Sequence, residues 1–457
     1  MLKISFLGAG SIVFGENVLT DILTFPALQK DTLLCLEDVD PKRLDLMYRY
    51  IKKVIEDNPD PLKNVSVEKT TDQKHAIENA KYIINAIQVG GLDAMKLDLD
   101  IPLRYGVSQN VGDSLGPGGV FRFLRTAPVL KSILEDIKQV GYHSQVKGDK
   151  ALFLNYTNPM AMNTWYCNTL LPDSTVGLCH GVTGTALGLS FVAGVPMTKF
   201  DYFCAGINHM AWFLELRKKD SEGRWIDAYP DIWETLKKEP KFLEMEKLRV
   251  DMMKATGYFM TESSGHLSEY LPYYRKREDL LEKYKGSGTT FSDLTHAAHF
   301  REWTKDQGKM EKKFESKIKR KKLRLKRMAS TEYASHIINA RETNQPFGFN
   351  GNVINKDGGL ITNLPKNCCV EVPVFADAQG LHPQGGIELP TVCQALCMSN
   401  IMVQKAAVEG ALNLNKEKIY HAVLLDPNTA SVCSPSEIRE MVQEMFEAER
   451  KWLPQFD

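Results

Sequence analysis

The sequence has no excess charge of either sign, no long uncharged apolar run and no regular cysteine pattern. Its 57 Lys and Arg residues balance 57 Asp and Glu residues, so overall charge predicts neither nucleic acid nor an anionic membrane as a partner. No window approaches the roughly 18 apolar residues of a transmembrane helix. The N-terminal residues are typical of a first strand rather than a signal peptide. The nine irregularly spaced cysteines favour free thiols, and we therefore expect a cytoplasmic protein.

The sequence also lacks internal repeats and low-complexity tracts. Its 457 residues are too many for one small core, so we expect two lobes, residues 1–200 and residues 201–457. In the first lobe, apolar strands alternate with helices, which predicts a Rossmann-like, doubly wound, mostly parallel sheet. The second lobe is predicted to be α+β. We expect the two lobes together to be arranged as in lactate and malate dehydrogenases. An Asn-Gly pair at 350–351 predicts a turn before two strands.

The first residues run from a short strand through a glycine turn into a helix. Gly8 and Gly10 fit the first two glycines of a dinucleotide fingerprint, whereas Val13 takes the place of the third. A second apolar strand, residues 32–38, ends at Asp38. An acid at that place accepts hydrogen bonds from the adenosine ribose and favours NAD over its 2′-phosphorylated relative. The alternative is that Asp38 is a solvated turn residue.

Further polar residues follow the later strands. Residues 80–89 form a third predicted strand that includes Gln88, residues 151–160 include Asn155, and residues 176–180 include Cys179. Ligands of open α/β sheets bind at the carboxyl ends of the strands. We therefore expect these side chains to face one ligand-binding edge.

Cys179 and His209 each follow a strand-like apolar run. A thiolate and an imidazole placed in this way could hold one divalent metal ion. The alternative is a buried cysteine and a hydrogen-bonded core histidine.

Two other segments allow two interpretations each. The glycine-rich loop before residue 116, which contains Asp113, is either an ordinary loop or a mobile loop that closes over the ligand. Residues 305–327 hold twelve Lys or Arg against three acids. We favour a solvated helix that docks through an apolar stripe over a nucleic-acid-binding helix, because the chain has no net positive charge.

A dinucleotide fold with a metal site is compatible with several reaction classes. One is a metal-assisted alcohol dehydrogenase, and another is a hydroxy-acid dehydrogenase in which an aspartate orients the acid-base histidine. The sequence disfavours a hydroxy-acid dehydrogenase, since His209 has no aspartate near it in the sequence.

Motifs along nearly the whole chain resemble glycoside hydrolase family 4, the NAD- and manganese-dependent glycosidases, and most closely its melibiase-type α-galactosidases. The similar stretches are FLGAGS, LEDVDP, DSLGPGGVFRFLRT, LNYTNPMAMNTW, GLCHGV, CAGINHMAWFLEL, TESSGHLSEY, EYASHIINA, NLPKNCCVEVPV and the final WLP.

The resemblance implies an oxidative route outside the usual two-carboxylate scheme. NAD+ takes a hydride from C3 of the sugar, which acidifies the C2 proton. A tyrosinate removes that proton while Mn2+ stabilises the negative charge, and the aglycone leaves by elimination. Water then adds, and the hydride returns to C3. Such enzymes are usually dimers or tetramers, and we expect a homodimer or homotetramer that acts on a small α-glycoside.

The resemblance also implies a role for each candidate residue. The metal ligands are Cys179 and His209, the base is Tyr270 and a candidate general acid is His180. The sugar is contacted by Asn158 and Asp113. The resemblance places Gly8, Gly10, Ser11 and Asp38 at the cofactor, and their strand-end positions add Gln88 and Asn155 as expected cofactor residues.

One residue departs from the α-galactosidase pattern. The family's α-galactosidases usually read Cys-His-Ser-Val, whereas this chain has Gly181 at the third place, as in the α-glucosidase branch. We favour an α-galactosidase, with an α-glucosidase as the alternative, then phosphorylated sugars and uronides. A plain NAD-dependent oxidoreductase acting on a sugar or hydroxy acid is the rival of another class.

Overall fold

The computed structural model describes residues 1–146, 149–238, 240–287, 289 and 292–457. Thirteen strands within these residues join into one mixed sheet. The strands are Leu2–Leu7 (β1), Thr32–Glu37 (β2), Val65–Thr70 (β3), Tyr82–Asn85 (β4), Leu152–Asn155 (β5), Thr175–Leu178 (β6), Phe200–Ile207 (β7), Met210–Lys219 (β8), Trp225–Asp227 (β9), Phe259–Met260 (β10), Phe347–Ile354 (β11), Cys369–Asp377 (β12) and Gly380–Pro383 (β13).

Helices connect and cover these strands. The α-helices are Ile12–Ile22 (α1), Pro41–Asp57 (α2), Pro59–Leu62 (α3), Gln73–Ile77 (α4), Gly91–Arg104 (α5), Gly116–Val140 (α6), Met160–Leu170 (α7), Gly181–Val192 (α8), Tyr229–Lys238 (α9), Pro240–Met245 (α10), Lys247–Thr256 (α11), Ser264–Leu267 (α12), Glu278–Tyr284 (α13), Ala298–Ile318 (α14), Tyr333–Thr343 (α15), Thr391–Asn413 (α16), Lys416–Leu425 (α17), Pro427–Ala430 (α18) and Pro435–Ala448 (α19). Over the described part of the chain, none of them combines the length and apolarity needed to cross a membrane.

The N-terminal half of the sheet is parallel, in the order β3-β2-β1-β4-β5-β6. This order is that of the Rossmann fold, so the predicted fold class is confirmed. The strand β3 was not predicted, because Val65–Thr70 is a polar edge strand in which only Val65 is buried. The register aligns the strand ends, with Leu7 opposite both Glu37 and Asn85, and Asn85 opposite Asn155.

The C-terminal half continues the same sheet with antiparallel strands. β11 pairs with β6 at Gly351–Leu178, and the order runs on through β12, β7, β8 and β10. The expectation of a turn at 350–351 was wrong. Asn350 and Gly351 lie inside β11, where the Asn350 amide donates to the Cys204 carbonyl at 2.9 Å. A buried partner therefore outweighs the local turn preference of this pair.

The β7–β8 hairpin places one candidate metal ligand. Ile207 pairs with Met210, so that Asn208 and His209 form a two-residue turn. His209 has φ 63°, a conformation that tight hairpin turns demand. Both turn residues are buried.

The basic stretch forms a docked helix over its first part. α14 ends at Ile318, before the densest run of cations. Its Phe314 is buried, with its ring 4.6 Å from that of Tyr50, and Lys317 pairs with Glu16 at 2.7 Å. This agrees with the preferred interpretation of a solvated helix that docks through an apolar stripe.

Candidate active site

A cavity of about 580 Å³ opens at the carboxyl ends of β1, β2 and β4. Five of the six expected cofactor residues line it: Gly8, Gly10, Ser11, Asp38 and Gln88. Gly8 has φ +79°, and a Cβ added there would lie 2.7 Å from the Ala86 carbonyl oxygen. Only glycine therefore fits this turn, which keeps the backbone open to a bound pyrophosphate.

The rim of this cavity suits a dinucleotide. α1 begins directly after the turn, and its N-terminus offers N–H groups to an anion. The Asp38 carboxylate accepts from the Gly10 N–H at 2.7 Å and from the Asp40 N–H at 2.8 Å. These bonds fix an acid at the tip of β2, where a ribose hydroxyl would lie.

Asn155 is the expected cofactor residue that the structure places elsewhere. Its side chain is fully buried, and its oxygen accepts from the Asn85 amide at 2.8 Å. Its amide donates to the Thr157 carbonyl at 3.0 Å. Asn155 is not among the residues that line the cavity, because its amide group is used to link neighbouring strand ends.

A second group of polar side chains gathers where β6 ends. Cys179 follows β6, and its Sγ lies 3.6 Å from Nε2 of His209. Glu262 Oε2 lies 3.4 Å from the same nitrogen. Thiolate, imidazole and carboxylate are all ligands for first-row divalent metals, so this donor set fits the expected metal.

The protonation of these donors depends on their neighbours. Burial lowers the pKa of His209, which keeps the imidazole neutral and able to coordinate. Burial alone would raise the pKa of Glu262, but the positive charge that His209 carries when it is protonated, with the hydrogen bond and charge of His266, holds it well below its usual range. Burial raises the pKa of Cys179, with Glu371 and Glu262 adding to the effect. A bound cation would reverse this last effect, because coordination requires the thiolate.

Tyr270 lies against the other side of His209. Its hydroxyl is 3.2 Å from Nδ1 of His209 and 2.5 Å from Nε2 of His266. Burial raises the pKa of Tyr270 well above its usual value, and the charges of Asp113, Glu269 and Glu262 raise it further. The phenol needs a local positive charge before it can act as a base near neutral pH.

Asp113 and Asn158 lie together beside this group. Asn158 Nδ2 donates to Asp113 Oδ2 at 3.0 Å, and His266 Nε2 lies 3.2 Å from Asp113 Oδ1. Burial opposes ionisation of Asp113, but His266 and Arg122 hold its pKa well below the usual range. The loop that carries Asp113 is buried and hydrogen-bonded, which favours a fixed loop over a mobile one.

His180 has a different environment from its neighbour Cys179. Its side chain is 58% exposed, and Nδ1 lies 3.5 Å from Glu332 Oε1. His180 begins α8 as the N-cap residue rather than ending a strand. The predicted strand at 176–180 therefore ends before both site residues.

Sequence reasoning assigned no role to Glu262 or His266. His209, Glu262 and His266 form a group whose ligand atoms lie within 4.8 Å of one another. Glu262, His266 and Tyr270 are four residues apart in TESSGHLSEY. This spacing is typical of side chains on one face of a helix, and it could have indicated that the three lie together.

Residues 3–194 match the profile of family 4 glycosyl hydrolase, and residues 204–429 match that of the family 4 glycosyl hydrolase C-terminal domain. The chain belongs to family 4 of the glycosyl hydrolases.

Two relatives of this family 4 chain are α-galactosidases. One, from Rhizobium meliloti (strain 1021), is 38% identical over 99% of this chain and 89% of its own length. Another, from Bacillus subtilis (strain 168), is 38% identical over the full length of both chains.

Among solved structures, a 6-phospho-α-glucosidase from gut microorganisms, in complex with NAD and Mn2+, has a similar fold. It superposes with a TM-score of 0.78 at 18% identity and covers 99% of this chain and 98% of its own. In this family 4 chain, the cavity and the Cys179–His209 group both lie at the carboxyl edge of the parallel strands.

Proposed function

We propose that this glycosyl hydrolase is an NAD+- and Mn2+-dependent α-galactosidase that releases terminal α-D-galactose. The observation that carries the proposal is the chain of contacts from Cys179 through His209 to Tyr270. The two α-galactosidases that are 38% identical over nearly the whole chain support the choice of galactosides.

Two sets of side chains would hold the cofactors. The turn at Gly8 and Gly10, with Asp38 and Gln88, would hold NAD+ in the cavity. Cys179 and His209 would hold the metal, with Glu262 as a further oxygen donor. When bound, NAD+ supplies a reversible hydride acceptor for C3, and Mn2+ stabilises negative charge on the sugar oxygens.

His209 couples the metal site to the base. Because Nε2 faces the sulfur of Cys179, the proton of the neutral imidazole belongs on Nδ1, which is 3.2 Å from the Tyr270 hydroxyl. An Nδ1–H that donates to the tyrosine oxygen favours the phenolate. Tyr270 would then remove the C2 proton of the sugar.

The remaining polar groups would bind the sugar and the leaving group. Asp113 and Asn158 are held against each other and offer a carboxylate and an amide to sugar hydroxyls. His180 is exposed enough to meet the glycosidic oxygen, and Glu332 would orient its imidazole.

A single assay tests the proposal against its rivals. p-Nitrophenyl α-galactoside and p-nitrophenyl α-glucoside are incubated with and without NAD+ and Mn2+, while nitrophenol and NADH absorbance are followed. We expect nitrophenol release from the galactoside that requires both cofactors and leaves NADH constant. Faster cleavage of the glucoside would favour the α-glucosidase, which Gly181 supports. Steady NADH accumulation would instead identify an oxidoreductase.

We also propose an organisation for the working enzyme. Residues 1–200 would form the NAD-binding domain, and residues 201–457 a domain for substrate, metal and assembly. The nine cysteines are free, which suits the reducing cytoplasm. A homodimer or homotetramer is supported by the exposed apolar side chains on α8, where Phe191 is 78% and Leu187 45% exposed.

A further inference from the structure

Glu269 holds the loop that precedes Asp113. Its carboxylate accepts three consecutive backbone N–H groups, from Asn110 and Val111 at 2.6 Å each and from Gly112 at 2.9 Å. Glu269 and the loop are buried. One side chain thus satisfies three donors that water could not reach.

The two segments that Glu269 joins each continue directly into the active site. Tyr270 follows Glu269, and Asp113 follows Gly112. Asp113 contacts His266 at 3.2 Å, and His266 contacts the Tyr270 hydroxyl at 2.5 Å. The positions of the base and of the sugar-contacting acid are therefore set through one carboxylate.

A second set of hydrogen bonds joins the same two segments. The buried Arg275 donates to the Ser108 carbonyl at 2.7 Å and to the Ser268 hydroxyl at 2.8 Å. It supplies the positive charge that faces Glu269 from the same segment, whereas the buried Asp426 is a nearby acid. The segment from Ser268 to Arg275 and the loop from Ser108 to Asp113 are thereby joined at two points.

We propose that Glu269 is a positioning residue that fixes the distance between the Tyr270 phenol and Asp113 during catalysis. The inference rests on the proposed function, in which Tyr270 is the base and Asp113 contacts the sugar. Only a carboxylate serves this position well, because both of its oxygens accept hydrogen bonds. A glutamine would turn its NH2 group toward at least one of the three N–H donors.

The test compares Glu269→Gln with the wild type and with Glu278→Gln, an exposed acid nine residues further on. Hydrogen–deuterium exchange measures the amides of residues 110–112, and steady-state kinetics measure kcat and KM with NAD+ and Mn2+ saturating. We expect Glu269→Gln to lose amide protection and about a hundredfold in kcat. Its affinity for NAD+ should stay unchanged, because Glu269 does not line the cofactor cavity. Glu278→Gln should match the wild type.

Unchanged protection of residues 110–112, or unchanged kcat in a folded Glu269→Gln, would overturn the proposal. If Glu269→Gln does not fold, Glu269→Asp is measured instead. It keeps the charge but retracts the carboxylate by one methylene, and it should lower kcat and loop protection together. Wild-type kcat in Glu269→Asp would also count against the proposal.

The hydrogen–deuterium exchange measurement distinguishes failure of this inference from failure of the proposed function. If the wild type cleaves no α-glycoside with NAD+ and Mn2+, the proposed function fails. The protection of residues 110–112 still reports whether Glu269 holds the loop.

Discussion

His209 contacts Cys179 and Tyr270 through opposite nitrogens of one ring, with Nε2 3.6 Å from the sulfur and Nδ1 3.2 Å from the phenol oxygen. A single imidazole therefore joins the candidate metal site to the candidate base. Any ion that binds at Nε2 changes the electrostatics at Tyr270, and this relationship underlies the first two predictions.

Cys179→Ala should weaken Mn2+ binding by at least about a hundredfold, since it removes a thiolate donor. Electron paramagnetic resonance of free Mn2+ measures the affinity, and NAD+ binding is measured in parallel and should not change. Cys433→Ala is the matched control, because its thiol donates to the Tyr105 carbonyl outside this group. Equal Mn2+ affinity in Cys179→Ala and the wild type would remove Cys179 from the metal site.

Tyr270→Phe should abolish exchange of the sugar C2 proton with deuterated water and lower kcat by about 10²–10⁴-fold. Binding of NAD+ and Mn2+ should persist. In the wild type, exchange should speed up as pH rises, because the buried phenol has a raised pKa and must lose its proton before it can act. Nuclear magnetic resonance of the recovered sugar measures the exchange, and undiminished exchange in Tyr270→Phe would assign the base to another group.

Gly181→Ser should fold normally and shift selectivity toward galactosides. A Cβ at position 181 would lie 3.5 Å from Cys179 Sγ and 3.8 Å from the Thr261 carbonyl oxygen, which are ordinary contacts. The added hydroxyl beside the metal donor should raise the galactoside-to-glucoside ratio of kcat/KM by about tenfold. The ratio is measured with the two nitrophenyl glycosides, and an unchanged ratio would show that position 181 does not set the choice of sugar.

Glu371→Gln should reduce the loss of stability between pH 5 and pH 8 in metal-free protein. Burial and the charge of Glu262 raise the pKa of Glu371 to about 8, against about 4.3 for an exposed glutamate. The folded state therefore holds a proton that the unfolded state releases, and wild-type stability falls as pH rises through this window. Tm at several pH values measures the effect. The exposed Glu388→Gln should keep the wild-type dependence, and a wild-type slope in Glu371→Gln would contradict the prediction.

Phe191→Asp should shift the protein toward monomers if α8 lies in the subunit interface. A charge at this exposed apolar position would have to be desolvated on association. Light scattering after size-exclusion chromatography measures the mass. Met328→Asp changes another exposed apolar residue and should leave the mass as in the wild type, and an unaltered mass in Phe191→Asp would place the interface elsewhere.

Local patterns predicted much of the fold. Apolar runs at residues 2–7 and 32–37 and a glycine turn act within a few residues of one another. These features therefore predicted β1, β2 and α1 directly. The polar edge strand β3 escaped notice because its exposure weakens the apolar pattern.

The sequence by itself therefore determined the parallel sheet, the glycine turn with Asp38 and the identity of the chemical groups, through short-range patterns and family motifs. Only the tertiary structure decided which of these groups meet. It brings Glu269 to a loop 157–159 residues earlier, adds Glu262 and His266 to the Cys179–His209 pair, and buries Asn155 without including it in the cavity lining. Such contacts depend on how distant strands and loops pack, and no local pattern specifies that packing.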